Sequence, residues 1–567
     1  MSDSSTRQAV PAQQARLAHQ TALAPRTPRA GGLELAAVLA VGTVLTVALT
    51  YPLAFGIGSV GRVDNGDGQF SIWNVAWVAR TLVVDPLHVY DANIFYPHRW
   101  TLAYSEGNLG AGVLAVPAYW VTRNPYFAHN FVVLLAFLLT ATGTYYLVRY
   151  LTGDRRAAAV SAICFAFCPH VFGHLPHIQA LMAAGLPFSM LAFHRLADRP
   201  TPGRGVVLGL VMAAQAISSG YYGVFLLLMV GFTVFVMATT RGLWADTRYW
   251  TAIAIGAVVA ILLVGPFFVP YEVLQRTIGF GRSLEEARRY SANWSSYLAS
   301  SAYAHAWLLR FLPRWTEVNF PGLVATVFGV AGMLLVRSPR DREIVFVYGG
   351  LALLFCWLSF GPDAGLYAVL YHTLPLLVWL RVPGRFGLVV VFGLSVLAGV
   401  ALTALLSRVR HQTMLGAAIA VVAAGELAVP LDFRQVSPVA PAYRLLSKLP
   451  RGPVLEMPFY YRSVDFPQHV KYMLASTAHW MPLVNGYSDI VPVDFVTNVM
   501  TLAPFPSRDA FKLLESRRVR YAVFHMYGYN TENRNDVLGR LKEFAPYLRQ
   551  LYVDDETQLY EIIGYPP

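Results

Sequence analysis

The stretch VDNGDGQFSIWNV, residues 63–75, sets two carboxylates, Asp64 and Asp67, among glycines, with Gly66 and Gly68 flanking the second. A glycine-rich turn lets a carboxylate approach a substrate closely, and a carboxylate so placed can work as a general base or as one arm of a metal site. D-N-G and D-G are also ordinary solvated-turn chemistry, so the pair alone leaves both readings open. The apolar run that follows carries Trp73, Trp77 and Arg80. Amphipathic aromatic rings of this kind suit the headgroup layer of a bilayer.

A second group is CPHVFGHLPHIQ, with His170, His174 and His177. Three imidazoles can bind a metal, hydrogen-bond a phosphate or a sugar, or cap a helix end, and Pro176 breaks the helical spacing between the last two. A third is LRVPGRFG, residues 380–387, where Pro383 braces Arg381 and Arg385 just before an apolar run. Guanidinium groups bind phosphate bidentately, so this pair reads as an anion site. Residues 271–320 add Arg276, Arg282, Arg288, Arg289, Arg310 and Arg314. Those six serve either a phosphate, or pairing with Glu285, Glu286 and Glu317, or lipid headgroups. In SSGYYG, Tyr221 and Tyr222 either stack on a sugar or prenyl chain or anchor the helix in the aromatic belt. Glu426 is an intramembrane carboxylate and by default a functional candidate. Cys164, Cys168 and Cys356 all fall in apolar runs and read as buried core residues.

Composition says what must hold these groups. Of 567 residues, 56% belong to the AVILMFWYC class and 13% are charged, and the mean hydropathy is +0.46. No soluble surface covers most of such a chain, which reads as an α-helical polytopic membrane protein. Apolar runs near the ~20 residues needed to cross the hydrocarbon core recur over residues 33–431. About eleven spans are expected, at 33–57, 127–148, 157–171, 178–194, 205–220, 221–240, 249–270, 321–336, 343–360, 384–407 and 413–431. Residues 109–121 and 365–380 read as interfacial or re-entrant pieces.

Arginines set the orientation. With 109–121 held on the outer face, Arg149, Arg155 and Arg156, then Arg195, Arg199 and Arg204, then Arg241 and Arg248, then Arg337, Arg340 and Arg342, then Arg408 and Arg410 all join the N-terminal Arg7, Arg16, Arg26 and Arg29 on one side. That is a positive-inside pattern, with the N-terminus in the cytoplasm and the C-terminal domain outside. The formal charge of +12 is thus a matter of membrane topology and not of nucleic-acid binding. Residues 1–31 read as a disordered cytoplasmic tail, residues 32–432 as the transmembrane domain with an outer loop at 58–126, and residues 433–567 as a small extracytoplasmic α/β domain. In that domain, strand patterns fall at 454–459, 521–525 and 559–563 and helical patterns at 507–517 and 534–544. No internal repeat of the transporter kind is present.

The outer loop continues DANIFYPH, residues 91–98, and YSEGNLG, residues 104–110. An acidic residue after the first span, an interfacial helix and a tyrosine-proline element together resemble the first outer loop of the GT-C superfamily of multispanning glycosyltransferases. The resemblance covers about residues 33–431. It implies a cell-membrane enzyme that moves a sugar from a polyprenyl-phosphate donor to an extracytoplasmic glycan, lipid or protein. It makes Asp67 catalytic with Asp64 as the alternate, since the spacing here is D-x-x-D. It makes Arg381 and Arg385 the lipid-phosphate contacts; Glu106, His174, His177, Tyr221 and Tyr222 are the further substrate-contact candidates. It implies no certain cofactor and leaves a divalent metal open. The rival class is a lipid or polysaccharide transporter without catalytic activity. The segment HWMPLVNGYSD, residues 479–489, is the loop-like candidate for shaping the acceptor's approach.

Overall fold

The computed structural model describes residues 31–64, 66–279, 281–334 and 338–567. The expected N-terminal tail, except its last residue, and Arg337 lie outside the described residues. The chain divides into two compact units, the first built from Met1–Ala54, Val133–Val269 and Gln275–Leu431 and the second from Phe55–Val132, Pro270–Leu274 and Asp432–Pro567.

The first unit is helical. Eight described helices are long and apolar enough to cross a bilayer: Gly32–Leu49, Pro125–Thr152, Arg155–Gly173, Ile178–Asp198, Gly220–Thr240, Thr247–Ile278, Pro339–Ser359 and Pro383–Leu406. The chain is a multi-pass membrane protein. The remaining expected spans fall on the shorter apolar helices Pro202–Ser218, Leu323–Leu334 and Gln412–Glu426. In lipid, helices associate through close packing and not through hydrophobic exclusion, so small residues mark their contacts. A Cβ on Gly332 would stand 2.2 Å from the Leu397 carbonyl oxygen, and one on Gly209 2.4 Å from that of Gly256. Ion pairs join helix ends: Arg241 reaches Asp198 at 2.8 Å and Glu343 at 2.6 Å, and Arg149 reaches Glu34 at 3.0 Å. Glu426 has a structural role. Its carboxylate accepts from the Leu323 and Val324 amides and from His305, capping Leu323–Leu334 at its N-terminus.

The second unit is mixed. Val60–Gly61 (β1) pairs antiparallel with Arg434–Gln435 (β2). Val454–Met457 (β3), Tyr521–His525 (β4), Leu548–Val553 (β5) and Thr557–Ile562 (β6) form one sheet in the order β3-β4-β6-β5, with only β3 and β4 parallel. Helices Arg508–Ser516 and Thr531–Glu543 fall where the apolar spacing puts them. β5 escapes the sequence pattern because it is a largely exposed edge strand carrying Arg549 and Gln550.

Residues 482–485 stitch this unit together. Val454 N–H donates to the Pro482 carbonyl at 2.8 Å and Val484 N–H to that of Val454 at 2.9 Å, while Leu483 N–H donates to Asn93 O at 2.9 Å and Phe95 N–H to Asn485 O at 3.0 Å. The loop-like stretch is therefore a core segment, its backbone bonded to β3 on one side and to residues 93–95 on the other. Trp480, Met481, Leu483, Val484 and Asn485 are all buried.

Two histidines buried here make the second unit acid-sensitive. His469 accepts at Nδ1 from Asn485 Nδ2, 3.1 Å, and His479 accepts at Nδ1 from the Met481 amide, 3.0 Å, so each ring is held neutral. Burial pushes each down to about 3 from its ordinary 6.5. The unfolded chain then binds more protons than the folded one between pH 6.5 and 3, so stability is intact above that window and falls as pH drops through it. The slope is about 1.4 kcal/mol per pH unit for each ring. Near-ultraviolet circular dichroism between pH 7.5 and 4 should show this loss, and His479→Gln should flatten it. A pH-independent signal would contradict the assignment.

Candidate functional site

In the second unit the candidate residues gather on and around one helix, Gly66–Val84. Asp67 lies in its first turn and is exposed. The helix starts earlier than the glycine spacing suggests, so Asp67 stands on a helix and not in a turn before it. A carboxylate there is favoured by the unpaired amides and dipole of the helix N-terminus. Gly68 is obligatory for a local reason: a Cβ would stand 2.1 Å from the Arg62 carbonyl oxygen. The close approach brings Arg62 and Asp64 over the helix start, where Arg62 Nε meets Asp64 Oδ1 at 3.2 Å. Asp64 thus faces a guanidinium of its own loop.

Trp73 and Trp77 do not face lipid. Trp73 Nε1 donates to Asn93 Oδ1 at 3.1 Å and Trp77 Nε1 to Val89 O at 2.9 Å, and both rings are buried. Asn74, two turns beyond Asp67 on the same face, donates to the Glu106 carbonyl at 3.4 Å. Glu106 is half-buried. Its segment is held by Tyr271, whose hydroxyl accepts from Gly107 N–H at 3.0 Å and donates to Ser105 O at 3.2 Å.

In the first unit a polar cluster surrounds the start of helix Gly387–Leu406. Arg385 is buried, its guanidinium 5.0 Å over the Tyr221 ring, and its Nε has no hydrogen-bond partner among the described residues. The Tyr221 hydroxyl accepts from the amides of Arg381 at 2.8 Å and Val382 at 3.3 Å. Arg381 itself lies 5.3 Å over the Tyr290 ring. One tyrosine therefore fixes both the backbone turn and one guanidinium.

The histidines join from Pro169–Gly173 and the residues after it. His174 Nδ1 donates to His170 O at 2.8 Å, and Nε2 faces Glu317 Oε1 at 3.2 Å. Burial works to raise the Glu317 carboxyl, but His174, His170 and Arg385 outweigh it and bring it down to about 2. His170 Nδ1 donates to Asn319 Oδ1 at 2.9 Å, and Asn319 Nδ2 donates to Gly384 O at 3.1 Å. Asn319 so clamps the turn that presents Arg385. A Cβ on Gly387 would meet its amide at 2.3 Å.

Of the residues singled out in sequence, His174, Tyr221, Arg381 and Arg385 come together in this cluster. The His177 ring stands 6.2 Å from that of His174. Tyr222 belongs to the core: it is buried and its hydroxyl donates to Ala180 O at 2.7 Å. Among the described residues no three His, Cys, Asp or Glu side chains converge as a metal site.

No protein-family model matches the sequence, and no curated protein matches it. Among solved structures, the chain is similar to the archaeal oligosaccharyltransferase AglB from Archaeoglobus fulgidus, in complex with an inhibitory peptide and a dolichol-phosphate, at 12% identity and a TM-score of 0.48, over 92% of this chain and 74% of that one. It is similar to ArnT from Cupriavidus metallidurans bound to undecaprenyl phosphate at 14% identity and a TM-score of 0.47, over 94% of this chain and 98% of that one. Likeness at this level gives no residue-by-residue correspondence, and the site rests on the chain's own geometry.

Asn319 and Tyr290 carry no signal in the sequence pattern, and Glu317 reads there only as an arginine partner. Each acts through contacts with residues far away in the chain, and no local spacing announces them. The available signal was position: an Asn and a Glu in a loop between two apolar runs, followed directly by Phe320 and Pro321.

Proposed function

We propose that this chain is a glycosyltransferase of the GT-C type, moving a sugar from a polyprenyl-phosphate donor to an extracytoplasmic glycan, lipid or protein. The observation that carries the reading is the buried Arg385, its guanidinium over the Tyr221 ring and acting on the Glu317 carboxyl at the start of a membrane span, with an unpartnered Nε among the described residues. A buried guanidinium with a donor to spare suits an anionic lipid headgroup. Arg381 and Arg385 hold the lipid phosphate, and their guanidiniums stabilise the negative charge that develops on its oxygens as the glycosidic bond breaks. Asp67 takes the proton of the acceptor hydroxyl as that oxygen attacks the anomeric carbon. A single displacement of this kind inverts the anomeric centre. His174, His177, Tyr221 and Glu106 are the further substrate contacts.

The reading requires the N-terminus inside and the C-terminal domain outside. Single cysteines introduced at Gly153 and Gly203, in a background with Cys356 replaced, should resist a membrane-impermeant thiol reagent in intact cells, while one at Thr531 should react. Labelling at Gly153 would move the arginine-bearing loops outward and sink the orientation. The activity itself is tested by incubating the purified protein with a panel of polyprenyl-phosphate sugars and measuring release of polyprenyl phosphate. A transporter would release none.

A further inference from the structure

Most of the arginines in the segment after helix Thr247–Ile278 are accounted for by partners. Arg282 pairs with Glu286 at 3.1 Å, Arg288 with Asp363 at 2.7 Å, and Arg289 lies 3.8 Å from Glu285. Arg310 and Arg314 differ. Both are exposed, and neither forms an ion pair among the described residues.

They stand amid aromatic side chains that the fold leaves uncovered. Tyr303, Trp307, Phe311 and Trp315 recur every fourth residue and are all exposed, Phe311 at 76%. Trp294 adds another at 75%. Polar loops of a water-facing domain do not carry such a row, because each ring left in water forfeits its burial.

The base of this segment is rigid. His305 is fully buried, its Nδ1 2.7 Å from Ser300 Oγ and its Nε2 2.9 Å from Glu426. Glu426 in turn caps Leu323–Leu334 and is the last residue of Gln412–Glu426. Tyr303 N–H donates to Ala428 O at 3.0 Å. The exposed row is therefore riveted to the point where one apolar helix ends and another begins, which is the level at which such helices leave the hydrocarbon.

We infer that residues 303–315 are an interfacial anchor that inserts Trp307, Phe311 and Trp315 into the outer headgroup layer, with Arg310 and Arg314 contacting anionic phospholipid. Charge complementarity selects the occupant: two unpaired guanidiniums beside indole rings match anionic headgroups over acyl chains, each arginine attracting the surface and each ring favouring the boundary. The inference does not depend on the transferase reading.

The test places an environment-sensitive dye at Phe311→Cys and, separately, at Trp307→Cys, in the full chain with Cys356→Ser, reconstituted in phospholipid nanodiscs. Glu532→Cys, on an exposed helix of the second unit, is the reference. At 311 and 307 the dye should be quenched by lipid carrying a nitroxide near the headgroup and shielded from aqueous iodide, the reverse of 532. Raising phosphatidylglycerol from none to half of the lipid should increase lipid quenching at least about twofold, and Arg310→Gln with Arg314→Gln should abolish that increase. Iodide quenching at 311 and 307 equal to that at 532 overturns the inference. So does lipid quenching that is the same with and without phosphatidylglycerol, and so does a dye shielded from both quenchers, which would signal a protein partner or a second copy on this face.

Discussion

Asp67→Asn should cost about 100-fold or more in turnover, at the lower end of the 10² to 10⁴ range for general-base catalysis. The amide keeps the size of the side chain and its place in the first turn of Gly66–Val84 but removes the group that takes the proton. Donor binding should hold, because the phosphate contacts assigned to Arg381 and Arg385 are untouched. Asp64→Asn is the discriminating partner. Asp64 faces Arg62, so its loss disturbs the loop that presses on Gly68 and should lower activity far less than Asp67→Asn. An inactive Asp64→Asn beside a fully active Asp67→Asn would transfer the catalytic role to Asp64.

Arg381→Lys should weaken donor binding by about 1 to 3 kcal/mol, the range for a charge-assisted hydrogen bond lost with the planar fork. Lysine keeps the charge, so a purely electrostatic site would tolerate the change. Arg385→Lys should do at least as much harm. Its guanidinium lies over the Tyr221 ring and acts on the Glu317 carboxyl, and a compact ammonium cannot serve both. Binding is read by titrating polyprenyl phosphate against the purified variants. Donor affinity unchanged in Arg381→Ala and Arg385→Ala alike would move the phosphate to the arginines of residues 271–320.

The membrane architecture was legible because apolar runs near span length leave few alternatives, and each of the eight long helices lies on one of them. The place of Arg381 and Arg385 directly before a span was legible for a related reason: Pro383 and the apolar run after it fix where a helix can begin. Tryptophan misled. Trp73 and Trp77 suit a headgroup layer, yet an indole buried with its N–H satisfied by Asn93 or Val89 O meets the same chemical need inside the protein. The composition of residues 479–489, with Pro482, Asn485 and Gly486, reads as a loop, whereas pairing with β3 and with residues 93–95 turns it into core. The pairing with residues 93–95 joins segments nearly 400 residues apart in the chain, and no window of local sequence contains it. Asn319 shows the same at the site, since its clamp on Gly384 and His170 exists only once three separate segments have met.

The central claim is glycosyl transfer from a polyprenyl-phosphate sugar, and the most direct measurement is polyprenyl phosphate released by the purified wild-type chain and by Asp67→Asn across a panel of such donors. Release from at least one donor by the wild type, falling about 100-fold or more in Asp67→Asn while that donor still binds both proteins, is the predicted result. Binding of the donor with no release by either protein would contradict it.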